Sequence, residues 1–573
     1  MVRALGVRVW LVAVCVVAPV AALTPAWLAP GDVTDVSLAV TRGALAAAAA
    51  VALAVGRPSL AVAGVAGVSG YASGYAAQKG WTVPLAMLTG VGLAVVASVA
   101  LGLLGARLRA AGFVALTLVA TLAGGALVAA LPDTLGGASG LQPVPTFSVP
   151  LPGGDTLQFG PAGTLHVTLL LVAIAVVVCG AVLLALPGAR WRAIGGDWER
   201  SRDAGLRPLR GTLGALAVSG ALAGLGGALA VHSTGVATPS SFSVDAAVLP
   251  LLVALLAGRG GPAAAALVGA AVGALGLRVL PALGWTGPPG AEALATGVLA
   301  AVTLLVLPGV VGWRVRWPWQ RGAEDGVALE ADAPELQVAW PALGPRHGLV
   351  GLVVRGLDVV PERGAAPLAR LDMAVAPGSV QGLVGPNGAG KSTALREIAG
   401  ALRGRGDARG SGAVRLEPSA AGARVVTLPQ EGGGWPGCTV AETLRLAART
   451  GARTRGEARD ASEEWAALLG LDEAWSSQCE SLSHGVRRRV EMARVLLLRP
   501  SLLLCDEPLA GLDGADRELA LRCLRAAAVA GVSLGVAEHD RASLARIATA
   551  TTELERLDLR GDVRGAAQDT APA

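Results

Sequence analysis

The sequence predicts a polytopic α-helical membrane domain followed by a soluble α/β domain, and three observations carry that prediction. Hydrophobic residues make up 53% of the 573-residue chain and the mean hydropathy is +0.57, well above what a soluble globular protein needs. Charge is unevenly placed: residues 1–187 hold few ionisable groups, whereas everything after Trp313 is studded with Arg, Asp and Glu. In that charged half a glycine-rich loop, Gly385–Thr393, stands between a strand-like run and a helix-like run.

The chain is long enough for separate cores. The expected division is a transmembrane domain over 1–320, an acidic proline-bearing linker over 321–346, a soluble domain over 347–560 and a disordered tail over 561–573. A net charge of +5 gives little support for nucleic-acid binding, and none is expected. Basic residues are almost all Arg, with Lys79 and Lys391 the two lysines, so Arg richness is read as composition bias. The six cysteines (15, 179, 438, 479, 505 and 523) show neither a C-x-x-C pair nor a ladder of spacings, which argues against a zinc site and a disulfide framework.

A spanning helix needs about 20 apolar residues. Candidates lie near 9–29, 36–56, 58–78, 82–105, 111–131, 163–187, 211–231, 243–257, 262–283 and 290–312. The first is expected to be an uncleaved span, the third is Gly- and Ser-rich enough to be re-entrant, and 243–257 is short. Arginines mark alternate ends: Arg3/Arg8, Arg57, Arg107/Arg109, Arg190–Arg210, Arg259 and Arg314/Arg316. With ten spans all of these face one side, which the positive-inside rule makes cytoplasmic, with both termini inside. The opposite loop, Leu131–Gly163, carries no Lys or Arg, and Trp313, Trp317 and Trp319 suit an interfacial belt. Arg42 falls inside a candidate span and is expected either to snorkel or to precede a later helix start, ahead of a role in a substrate pathway. Gly220-x-x-x-Gly224 with Gly226 and Gly227 would allow close helix approach. The charged segment Arg190–Arg210 is either a solvated loop enforcing topology or a docking surface for a cytoplasmic motor.

In the soluble half, Ser379–Val384 reads as a strand leading into G-P-N-G-A-G-K-S-T and then a helical run. That is G-x-x-x-x-G-K-S in strand–loop–helix context, the mark of a P-loop NTPase. Gly385, Asn387, Gly388, Ala389 and Gly390 supply inward backbone N–H groups that, with Pro386 shaping the loop and Thr393 beside it, wrap nucleotide phosphates. Lys391 brings a compact positive charge to the β/γ-phosphates and Ser392 can ligate Mg²⁺. The expected cofactors are therefore ATP and Mg²⁺. Ser501–Cys505 has the length and apolarity of a buried parallel strand and ends in Asp506-Glu507-Pro508. Asp506 is assigned to the metal and Glu507 to polarising water as general base.

With these parts present, the soluble half resembles an ATP-binding cassette (ABC) ATPase. The resemblance implies roles for Gln430, at the end of V-V-T-L-P-Q, in catalysis and at the metal, and for His539, in A-E-H-D, as a switch contacting the γ-phosphate. It also makes A-G-L-D (Ala510–Asp513) a loop at a dimer interface. Glu480–Pro500 then sits where the family's signature belongs, with L-S-H-G-V (Leu482–Val486) in place of L-S-G-G-Q. Ser483 and Gly485 are kept and would meet nucleotide, whereas Val486 cannot hydrogen-bond as glutamine does. Arg487–Arg489 are read as the polar face of the signature helix, with Val490, Met492 and Val495 turned inward. The family's adenine-stacking aromatic is missing, since Val353–Leu371 holds no Phe, Tyr or Trp.

The membrane half resembles permeases of branched-chain amino acid importers in Ala130–Pro145, Arg190–Arg210 and Ser219–Ala230. Together the resemblances imply a fused permease–ATPase half-transporter in a bacterial cytoplasmic membrane, with its ATPase domain cytoplasmic. They imply a second half-transporter, identical or different, an extracytoplasmic solute-binding protein, contact with membrane lipid and a small polar substrate. Import of urea or short-chain amides, export, and a weakly hydrolysing membrane-anchored regulatory subunit are the alternatives.

Overall fold

The computed structural model describes residues 30–150, 156–257, 261–274, 344–345, 348–361, 367–403, 412–419, 422–430, 432–451 and 453–554. The first and last candidate spans, the Trp313–Trp319 belt, nearly all of the linker and the 561–573 tail lie outside them. The chain divides into two compact units, Met1–Gly196 with Arg207–Gly322, and Asp197–Leu206 with Ala323–Ala573.

The first unit is helical: α1 (Pro30–Ala54), α2 (Val62–Gln78), α3 (Val83–Leu104) and α4 (Ala110–Ala129) precede a short hairpin, β1 (Ser148–Pro150) and β2 (Thr156–Gln158). Then follow α5 (Pro161–Leu184), α6 (Leu186–Gly196), α7 (Trp198–Asp203, in the second unit), α8 (Pro208–Thr234), α9 (Val244–Ala257) and α10 (Gly261–Ala274). Five of these, α1, α3, α4, α5 and α8, are long and apolar enough to cross a membrane. Described helices thus match eight of the ten candidate stretches, but α2, α9 and α10 fall short of that length among the described residues.

With little hydrophobic drive between helices in lipid, they associate through close backbone approach and hydrogen bonds. The small-residue face of α8 does this. A side chain at Gly224 would lie 2.7 Å from the Ala94 Cβ of α3, and one at Gly220 2.7 Å from the Ser98 Cβ. Hydroxyls satisfy facing carbonyls: Ser69 donates to Gly224 O at 2.8 Å, Ser98 to Leu216 O at 2.7 Å and Ser219 to Ala48 O at 2.8 Å. Composition bias hid a specific contact surface here. Arg57 also does more than mark topology. It is buried, donates to the carbonyls of Leu108 (2.7 Å) and Gly105 (3.3 Å) beyond the end of α3, and lies over the Phe113 ring.

At the other end of α8, buried His232 ties three segments together. Its Nδ1 lies 2.7 Å from Pro145 O and its Nε2 2.7 Å from Ser73 Oγ. A carbonyl only accepts, so Nδ1 carries the proton and Nε2 accepts from serine. Leu141 pairs with Ala237 as an isolated bridge, and Gln78 donates to Pro143 O at 2.9 Å, so Leu141–Pro145 is strapped across α2 and α8.

The second unit carries two sheets. β3 (Gly351–Val359), β4 (Ala369–Val375) and β6 (Ala413–Glu417) form an antiparallel sheet in the order β4-β3-β6. A parallel sheet runs β10-β5-β9-β8-β7, made of β5 (Val380–Val384), β7 (Val425–Leu428), β8 (Leu502–Asp506), β9 (Ser533–Ala537) and β10 (Ala550–Glu553). Strands β5 and β9 are buried at every position, as expected for parallel strands covered on both faces. Helix α11 (Lys391–Leu402) fills the core with Ala394, Leu395, Ile398 and Ala399. Helices α12 (Val440–Thr450) and α13 (Arg455–Leu468) begin with capping boxes, Thr439/Glu442 and Thr454/Glu457. Then come α14 (His484–Leu497), α15 (Gly514–Val529) and α16 (Arg541–Ala545).

Candidate nucleotide-hydrolysis site

The site forms at the carboxyl ends of the parallel strands, where the sheet's connections leave backbone and side chains pointing outward. Strand β5 ends at the glycine-rich loop, and α11 starts at Lys391 from an N-cap, Gly390, whose φ of +98° is one that a side chain rarely permits. Lys391 is buried and its Nζ reaches back across the loop to Gly385 O (2.8 Å) and Pro386 O (3.1 Å). The ammonium is thereby aimed over the loop, with the N–H groups of the α11 N-terminus beside it. Ser392, one residue on, donates to Asp506 Oδ1 at 2.8 Å. The donors are a hydroxyl and a carboxylate, hard oxygen ligands that suit Mg²⁺, a cation that completes its shell with phosphate and water oxygens. Burial pushes the Asp506 carboxyl upward, and the Ser392 hydrogen bond opposes that.

Glu507 follows the strand with φ +44°, strained for a residue with a side chain. Its N–H donates to Ala537 O at 2.9 Å. Its carboxylate is gripped on both oxygens: Gln430 Nε2 donates to Oε2 at 2.7 Å, and His539 Nε2 lies 2.6 Å from Oε1. The structure therefore assembles Gln430, Glu507 and His539, from three separate loops, into one hydrogen-bonded group. Buried Glu538 braces it, accepting from the His539 N–H (2.9 Å) and the Leu509 N–H (3.3 Å). Among the described residues Gln430 makes no hydrogen bond to Ser392 or Asp506; its Nε2 is on the Glu507 carboxylate.

Ser483 and Gly485 make no hydrogen bond to the glycine-rich loop among the described residues. Ser483 is the N-cap of α14, accepting from the Val486 N–H at 3.4 Å, and is exposed. A side chain at Gly485 would collide with the Asp516 carboxylate, which Arg489 holds at 2.7 Å. His484 packs close to Gly511, in the A-G-L-D loop. Val490, Met492 and Val495 are buried as expected, but the reading of Arg487–Arg489 as a polar face fails at Arg488, which is only 3% exposed. Replacing Val486 by Gln is expected to raise ATP turnover about 2–10-fold, the worth of one added hydrogen bond; phosphate-release assays that show no gain would mean the apolar residue costs nothing.

The charged segment Arg190–Arg210 is not merely a solvated loop, because its middle, Asp197–Leu206, belongs to the second unit. Asp197 caps α7, accepting from the Arg200 N–H at 2.7 Å. Arg200 donates to Gly434 O at 2.6 Å and lies 3.9 Å from Glu491. Asp203 pairs with Arg403 at 2.7 Å and accepts from Thr427 at 3.2 Å. A cavity of about 710 Å³ is lined both by this segment, at Arg200 and Asp203, and by Ser392, Thr393 and Asp506.

Glu491 is the node of this contact. Fully buried, it accepts from the Gly434 N–H (2.9 Å) and from Arg494 at 2.6 and 2.9 Å, and Arg494 lies over the Trp435 ring. Burial would raise its carboxyl, but Arg494 and then Arg200 outweigh it and hold the group at about 2, against an ordinary 4.5. A depressed carboxylate contributes stability above its ordinary value and loses it as pH falls toward the folded value. Glu491→Gln is therefore expected to cost about 3 kcal/mol at pH 7, as for breaking a buried pair. In thermal unfolding at stepped pH, the difference from wild type should shrink between pH 4.5 and about 2. A pH-independent difference would contradict the ionised pair. Sequence reading missed Glu491, Glu538 and Arg488; the available signal was a charge inside an apolar run, such as V-E-M-A-R.

These geometries agree with comparisons to known proteins. A family model described as ABC transporter matches residues 368–510. The hemin import ATP-binding protein of Myxococcus xanthus is 36% identical over 214 residues, 35% of this chain and 79% of that protein. The chain belongs to the ABC transporter family. A second model, branched-chain amino acid transport system permease component, matches residues 36–307, so this ABC protein joins permease and ATPase in one polypeptide. The cytochrome c biogenesis ATP-binding export protein of Bordetella parapertussis is 34% identical over 221 residues, 38% of this chain and 92% of that protein. The daunorubicin/doxorubicin resistance ATP-binding protein of Streptomyces peucetius is 36% identical over 166 residues, 29% of this chain. This ABC chain spans about half the length of that relative, 50%. The ATPase half is thus similar to proteins of both import and export systems.

Proposed function

We propose that the protein is one half of an ATP-driven importer, with branched-chain amino acids as the substrate class. The observation that carries the reading is the permease match over 36–307 on the same chain as an assembled hydrolysis site. Urea or short-chain amides suit the same reading of the permease. Export is the competing direction. In this reading the chain sits in a bacterial cytoplasmic membrane, crossed about ten times, with both termini and the ATPase domain inside. The domain limits in this reading are 1–320, 321–346, 347–560 and 561–573, with Asp197–Leu206 of the first joining the ATPase unit.

The glycine-rich loop and Lys391 would bind the nucleotide phosphates, and Ser392 and Asp506 would hold Mg²⁺, with the Gln430 amide oxygen as a further ligand. Bound MgATP supplies the phosphoanhydride whose cleavage drives transport. Glu507 orients the attacking water and takes its proton. Gln430 and His539 hold the Glu507 carboxylate, and with nucleotide bound His539 would contact the γ-phosphate. Ser483 and Gly485 complete the site of a second half-transporter, identical or different, as the resemblance to the ABC cassette implies. Asp197–Leu206 passes the motion to the permease, and an extracytoplasmic solute-binding protein delivers the substrate.

Reconstitution into proteoliposomes tests the reading. ATP-dependent uptake that requires the binding protein supports import, whereas ATP-dependent efflux without it establishes export. Turnover unaltered by partner, binding protein or substrate would favour a regulatory subunit.

A further inference from the structure

Arg488 lies in the first turns of α14, with its side chain almost wholly buried. Its guanidinium donates four hydrogen bonds, all to backbone carbonyls. Nε reaches Pro508 O at 3.0 Å, and Nη2 reaches Glu507 O at 3.0 Å. Nη1 reaches Pro429 O at 2.6 Å and Gln430 O at 3.3 Å. The two carbonyl pairs belong to loops whose side chains, Gln430 and Glu507, meet at 2.7 Å. The planar fork thus holds both loops from behind while their reactive side chains meet in front.

Two features make this more than packing. Glu507 holds a positive φ that persists only where its surroundings over-determine it, and Arg488 grips the carbonyl of that same residue. Arg488 also shares its helix with Ser483, the N-cap, and Gly485, so a displacement at that end reaches the Glu507 and Gln430 carbonyls through one side chain. A lysine has no fork and cannot serve four divergent acceptors.

We propose that Arg488 is a positioning residue for hydrolysis, holding Gln430 and Glu507 in register and linking that register to the position of the signature helix. This rests on the reading of Glu507 as general base. The test uses the full chain with its partner half and compares Arg488→Gln, Arg488→Lys and a core truncation on the same helix, Met492→Ala, which controls for lost stability. The measurements are kcat and KM for ATP, ATP affinity by equilibrium binding, and thermal unfolding.

Misplacing a reacting group by about 1 Å costs on the order of 100-fold in rate. Arg488→Gln is expected to lose about that much in kcat, with KM and ATP affinity within about threefold of wild type. Arg488→Lys is expected to recover only part of the loss. Met492→Ala should lose comparable stability yet keep kcat within about threefold. An Arg488→Gln protein that retains kcat, or loses ATP affinity in proportion to kcat, overturns the proposal. Glu507→Gln run alongside separates the two readings: if it stays active, the general-base assignment fails, and if it is inactive while Arg488→Gln turns over normally, the positioning role alone fails.

Discussion

Glu507→Gln should lower ATP turnover by roughly 100- to 10,000-fold, the range general-base catalysis contributes, while leaving ATP binding intact. The expectation follows from how little the substitution changes. Glutamine is nearly isosteric, and the backbone bonds of residue 507 to Ala537 and Arg488 involve no carboxylate. What is lost is the group able to take a proton, held between Gln430 at 2.7 Å and His539 at 2.6 Å. Lys391, Ser392 and Asp506, which would hold the nucleotide and its cation, are untouched. Phosphate release and equilibrium ATP binding by the purified protein with its partner measure the two effects separately. Turnover within a few-fold of wild type would remove Glu507 from the chemistry and put the proton elsewhere.

Asp203→Arg is expected to uncouple the two activities. Asp203 is a charged contact between the Asp197–Leu206 segment and the ATPase core, pairing with Arg403 at 2.7 Å with both side chains largely shielded. Reversing its sign places two cations face to face where an attraction stood. Coupling free energies between sites typically amount to 1–3 kcal/mol, or about 5- to 150-fold. Transport in proteoliposomes should fall by at least about tenfold, while ATPase activity in detergent stays near wild type. The double exchange Asp203→Arg with Arg403→Asp should restore part of the transport. Equal loss of both activities, or no rescue by the exchange, would show that this pair serves folding alone.

The nucleotide site was legible because its chemistry demands particular residues at fixed spacing. A loop that wraps phosphate needs glycines, one lysine and a hydroxyl in order, so Gly385–Thr393 announces itself. Asp506 and Glu507 were legible because an apolar strand must end before charge is exposed. The same logic found the membrane helices, since a long apolar run needs few other clues. Arg488 was misread for a reason of the same kind: an arginine between two arginines looks solvated, and nothing local says that four carbonyls from distant loops surround it. Glu491 and Glu538 are hidden likewise, because a buried charge is tolerated only where the fold supplies partners, and those partners lie far off in sequence.

Sequence by itself determined the membrane half followed by an α/β half, the phosphate loop and the acidic strand end. Each depends on composition, on periodicity or on a short run of residues. Only tertiary structure decided that Gln430, His539 and Glu507 meet, that Arg488 binds the loops behind them, and that Asp197–Leu206 belongs with the ATPase. Those facts depend on which strand lies beside which in the order β10-β5-β9-β8-β7. A parallel sheet brings loops from remote parts of the chain to one edge, and no local pattern encodes that neighbourhood.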